Sequence, residues 1–141
     1  MIDRFTAKAR EAISLAVDAA ESLGHNYVGT EHLLIGLLEE GSGVAARVLD
    51  ECGVKVEKVT ELVSQLITPS QGVRTAEQNT YTPSAKRVIE NSYREAVRFK
   101  APLIGTEHIL IAIIRENDCV ASRLLNTMGI SIQRLYVDVL S

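Results

Sequence analysis

The sequence has no tryptophan, two phenylalanines and four tyrosines, and its 15 basic residues are outnumbered by 18 acidic ones. A general nucleic-acid binder needs a basic stripe or aromatics for stacking, and this chain has little of either. Two cysteines, Cys52 and Cys119, lack the spacing of a redox or metal motif, so a reducing, cytoplasmic setting is expected. The longest apolar runs, such as Ile109 to Ile114, fall far short of the ~20 residues that span a bilayer, and no basic stretch followed by an apolar one opens the chain. Membrane insertion and a secretory signal are therefore not expected. A phosphate loop of the form Gly-x-x-x-x-Gly-Lys-Ser/Thr is also missing, so nucleotide hydrolysis would have to lie outside this segment. What remains is an ordinary globular composition: 141 residues, 46% hydrophobic and 23% charged. A chain of that length buries roughly 68–70% of its unfolded surface without staples.

An internal repeat decides the organisation. Shifted by 76 positions, residues 5–65 fall on residues 81–141 without a gap and match at 17 of 61 positions. Composition alone would give about 6% identity. The densest block is Gly29-Thr30-Glu31-His32, which returns as Gly105-Thr106-Glu107-His108. Residues 1–67 and 81–141 thus form two copies, and the polar stretch 68–80 reads as a linker.

The apolar spacing within each copy is helical. Ala9, Ala12, Ile13, Ala16, Val17 and Ala20 share one face, mirrored by Ala85, Val88, Ile89, Ser92, Tyr93 and Ala96. Thr6 and Thr82 precede these runs as N-caps, and Gly24 ends the first. A second helix starts at each Gly-Thr-Glu-His block, with Thr30 or Thr106 as cap. It is apolar almost all round and so is enclosed by neighbours. Two amphipathic helices follow in each copy, the first closing at Gly53 or Gly129. The fold expected is all-α: two tandem four-helix repeats, eight helices in all, packed about a pseudo-twofold.

Helix starts carry unpaired backbone N–H groups and the positive end of the macrodipole, so they accept anions. Each copy has one start at Thr6 or Thr82, and another where Glu31 or Glu107 occupies the first turn. If two starts converge, one cradle offers N–H donors to an anion and a carboxylate to a cation. The ordinary alternative is that Thr and Glu at a helix start cap and compensate the dipole, contributing about 0.5–2 and 0.3–1 kcal/mol.

His32 and His108 have too few companions for a metal site, and each is expected to bond a backbone group at its helix start. His25 falls in a turn without a signal. No nucleophile, base and orienting group come together, since Glu31 and His32 are adjacent on a helix and diverge. A buried thiol is expected at Cys52.

The order Phe5-Thr6-Ala7-Lys8-Ala9, then the run from Leu23 to Leu49, repeated as Tyr81-Thr82-Pro83-Ser84-Ala85 and Ile104 to Leu125, resembles the double N-terminal repeat domain of the Clp AAA+ unfoldases, the ClpC branch in particular. The resemblance covers nearly the whole chain. It implies a non-catalytic module that recognises misfolded or arginine-phosphorylated proteins and MecA-type adaptors for degradation by ClpP. The chain itself would hold no cofactor, with ATP used by motor modules elsewhere in the full-length protein. It further implies phosphoarginine sites, one per copy, at Thr6 with Glu31 and at Thr82 with Glu107. A strip near Met1, Ile2, Phe5 and Lys86 offers an apolar partner-binding region, the equal alternative being that Ile2 and Phe5 form a hydrophobic staple. The alternative is an adaptor-docking scaffold, or a stand-alone relative, that ignores phosphoarginine.

Overall fold

The computed structural model describes residues 4–67, 80–116 and 118–141. Thr6 lies at φ −65°, ψ 164°, outside helical space, and its hydroxyl accepts from the Ala9 amide at 3.1 Å; from this cap α1 runs over Ala7–Ser22. Thr82 does the same for α5 (Pro83–Arg98), accepting from Ala85 at 3.1 Å. Gly24, at φ 78°, stops the first run. Its counterpart Lys100 takes the same left-handed conformation at φ 57° despite its Cβ. The remaining helices are α2 (Thr30–Glu40), α3 (Val44–Glu51), α4 (Val56–Leu66), α6 (Thr106–Arg115), α7 (Val120–Thr127) and α8 (Ile132–Leu140). All eight expected helices are therefore present among the described residues.

Two short parallel pairings join the repeats. β1 (Tyr27–Val28) pairs with β2 (Thr80–Tyr81), and Phe5 bridges Ile104. Thr80, expected as the last linker residue, thus belongs to β2; linker residues 68–79 lie outside the described residues.

Helices α2 and α6 occupy the centre. Leu33, Leu34, Ile35 and Leu37 on one, and Ile109, Leu110 and Ile113 on the other, are at most 1% exposed. Each such side chain stabilises the fold by roughly 1.5–3 kcal/mol through burial. α2 touches α5 and α7 of the second repeat, while α6 touches α1 and α3 of the first; α4 meets α7 as α3 meets α8. Each inter-repeat contact has its mirror, which is the pseudo-twofold in physical terms. One continuous hydrophobic cluster includes residues of both repeats.

The capping of α2 and α6 differs from expectation. Gly29 and Gly105, not the threonines, take the extended N-cap position, and the amide of each donates to the imidazole Nδ1 three residues on, in His32 at 2.9 Å and in His108 at 2.8 Å. Thr30 and Thr106 are released to cap the other repeat. The Ala121 amide in the first turn of α7 donates to Thr30 Oγ1 at 3.1 Å, and Ala45 of α3 to Thr106 Oγ1 at 3.2 Å. This is required because the N-caps of α3 and α7, Gly43 and Cys119, make no side-chain cap bond of their own. Thr30→Val keeps the shape and deletes the acceptor, so it is expected to cost about 1–2 kcal/mol in equilibrium denaturation.

Candidate functional site

Two of the cavities between the repeats hold the expected residues. One, of ≈430 Å³, brings Thr6 and Lys8 of α1 together with Ser42, Arg47, Leu103 and Glu107. The other, of ≈390 Å³, brings Thr82 and Ser84 of α5 together with Tyr27, Glu31, Asp118 and Arg123. All four residues expected at an anion-and-cation cradle thus line cavities, but the expected pairing is exchanged. Thr6 shares a cavity with Glu107, and Thr82 with Glu31. The cause is the pairing of the segments that lead into the helices: the Thr6 amide donates to the Ile104 carbonyl at 2.9 Å, and the Thr82 amide to the Val28 carbonyl at 3.0 Å. Each N-capped helix start is thereby fixed beside the Glu-bearing start of the opposite repeat.

The carboxylates fold back over their own N-caps. A Cβ placed on Gly29 would lie within 2.3 Å of Glu31 Oε1, and one on Gly105 within 2.4 Å of Glu107 Oε1. A side chain at either glycine would push the carboxylate out of this position. Glu31 is buried, and burial raises its carboxyl above the usual range, opposed by a bond from its own amide and by the Tyr27 hydroxyl, which donates to Oε2 at 3.4 Å. Tyr27 is in turn pushed up to about 12, first by burial and then by the Glu31 charge. Glu107 is only half-buried.

Sequence reasoning overlooked His25. It is 1% exposed, its ring stacks on Tyr27, and its Nδ1 lies 2.8 Å from His32 Nε2. Because His32 Nδ1 accepts from Gly29, its Nε2 carries the proton and donates to His25. The left-handed Gly24 reverses the chain and places His25 beneath the next helix; pattern along the chain carries no trace of that return. The second repeat has Ala101 at this position and stacks Phe99 on His108 instead. Cys52 is half-buried, with its thiol donating to Asp138 at 3.3 Å. Among the described residues no group of three or more His, Cys, Asp or Glu is placed to hold a metal ion, and no helix is long and apolar enough to cross a membrane.

The partner strip is corrected in part. Phe5 is 1% exposed, held in the core by its bridge to Ile104, and so presents no apolar contact to a partner. Lys86 is exposed near the start of α5, and Ile2 lies outside the described residues.

The model of the Clp repeat (R) N-terminal domain matches residues 4–139. Over 140 residues the chain is 44% identical to the negative regulator of genetic competence ClpC/MecB of Bacillus subtilis and 43% identical to the chaperone protein ClpB of Oceanobacillus iheyensis. In both alignments 99% of this chain is covered, and it spans 17% of the relative's length. The N-terminal domain of the chaperone ClpD from Arabidopsis thaliana superimposes with a TM-score of 0.83 at 27% identity, covering 99% of this chain and 97% of that one.

Proposed function

The chain belongs to the Clp repeat N-terminal domain family, and from that premise we propose that it is the recognition module of a ClpC-type AAA+ unfoldase, binding arginine-phosphorylated proteins and MecA-type adaptors in the cytoplasm. Motor modules using ATP, and delivery to ClpP, belong to the rest of the full-length protein in this reading.

One observation carries the proposal. Each cavity joins the amide-rich start of a threonine-capped helix to a glutamate from the opposite repeat. Phosphoarginine has the complementary form, with phosphate oxygens at one end of the group and guanidinium N–H donors beside them. The phosphate would lie against Thr6 or Thr82 and the amides that follow. The guanidinium would lie against Glu107 or Glu31. In this reading the chain supplies position and charge, and it binds the mark without removing it.

Titration calorimetry with free phosphoarginine tests this, and crossed pairs of substitutions read the pairing. Thr6→Ala with Glu107→Gln is expected to remove one site and spare the other. Thr6→Ala with Glu31→Gln is expected to damage both. Absence of heat at millimolar ligand would leave only the adaptor-docking scaffold.

A further inference from the structure

Four differences between the cavities act in the same direction. Ala7 opens α1 with an amide, whereas Pro83 opens α5 and has none to give. Lys8 lines the first cavity, and its counterpart in the second is Ser84. Ser42 in the first corresponds to Asp118 in the second. Finally Leu103 corresponds to Tyr27, whose hydroxyl already bonds the glutamate of its cavity.

The charges follow. Around the Thr6 cavity stand two cations, Lys8 and Arg47, against Glu107 in the lining and Glu40 at its edge, where the Glu40 carboxylate accepts from the Ser42 and Gly43 amides at 3.1 and 2.7 Å. Lys8 Nζ donates to the Ser42 carbonyl at 3.3 Å, and Arg47 makes no ion pair among the described residues. Around the Thr82 cavity the single cation Arg123 faces two carboxylates, Glu31 and Asp118. Arg123 is engaged by Asp118, through its carboxylate at 3.3 Å and its carbonyl at 3.1 Å. A phosphate dianion therefore meets a balanced rim at one cradle and a net negative rim at the other.

We propose that the two cradles are unequal: the Thr6–Glu107 cavity is the principal phosphoarginine site, Lys8 is its specificity-determining residue, and the Thr82–Glu31 cavity binds the same ligand at least about tenfold more weakly. The inference rests on the phosphoarginine reading above and adds which site dominates and why. Lys8 acts by charge at the rim, since its side chain is exposed and leaves the α1 cap untouched.

The test titrates the 141-residue chain with free phosphoarginine. Two sites differing by at least about tenfold are expected. Glu107→Gln should remove the tighter one and Glu31→Gln should leave it. Lys8→Ser should weaken the tighter site by about tenfold and flatten its dependence on salt. The reciprocal variant, Ser84→Lys with Asp118→Ser, should strengthen the weaker one. Two sites of equal affinity, loss of the tighter site with Glu31→Gln, or an unchanged tight site in Lys8→Ser would overturn the inequality and leave the phosphoarginine reading standing. No binding at either site would overturn both. Helical circular dichroism of each variant separates lost binding from lost fold.

Discussion

Alanine at position 36 is expected to cost about 3 kcal/mol of stability and to lower Tm by roughly 10 °C, although alanine is the better helix former by ~1 kcal/mol. Gly36 lies within α2 where α1 crosses it. A Cβ there would stand 2.1 Å from the Ala12 carbonyl oxygen, 2.8 Å from the Ala16 amide nitrogen and 3.1 Å from the Ala16 Cβ. Two of those atoms are helix backbone and cannot rotate aside, so the helices must separate along a face built of small residues: Ala9, Ala12, Ala16 and Ala20, all buried. The second repeat accepts Ala112 at the same place because α5 presents Val88 and Ser92 where α1 presents Ala12 and Ala16, which holds α5 further from α6. Urea denaturation of Gly36→Ala reads the cost. A loss below about 0.5 kcal/mol would mean that the crossing is loose.

The second large effect is with pH. Burial first, and the neighbouring His25 next, lower His32 from 6.5 to about 4. Below pH 6.5 the unfolded chain takes up a proton that folded His32 refuses, so the unfolded state binds more protons and stability is lost as the pH is lowered from 6.5 towards 4. The loss amounts to about 3 kcal/mol at pH 4 and is complete only below that. His108 is shifted in the same direction, chiefly by burial and opposed by Glu107 and Glu95. Glu31 works the other way: its carboxyl is raised, so protonation relieves a burial cost as the pH falls. Site-resolved NMR separates them. The His32 ring resonances should stay flat from pH 8 to pH 5; a midpoint near 6.5 would refute the buried neutral ring.

The helices could be read from sequence because their signals are local. The 3.6-residue spacing of Ala9, Ala12, Ile13, Ala16 and Ala20, the cap at Thr6 and the stop at Gly24 all act within one or two turns. The central placement of α2 and α6 was legible for the same reason: a helix apolar on every side has to be surrounded. Thr30 was misassigned because a threonine beginning an apolar run has the ordinary look of a cap. Only the extended backbone at Gly29, together with an α7 start lacking its own cap bond, shows that it serves another helix 91 residues away. Phe5 was equally ambiguous, since an apolar residue before a cap packs inward or outward according to what lies opposite, and here Ile104 does.

The chemistry of each cradle was contained in the chain alone. Thr6, Thr82, Glu31 and Glu107 sit at helix starts whatever the packing, because capping and the macrodipole operate within a few residues. Which threonine faces which glutamate could not be read there. A tandem repeat permits either a pocket closed within each copy or one shared between copies, and local propensity is identical in the two cases. The choice was made by two short backbone pairings, Thr6 to Ile104 and Thr82 to Val28, that join segments far apart in the chain. Hydrogen bonds between distant strands leave no periodic mark on the residues that make them, so tertiary structure alone decided the exchange.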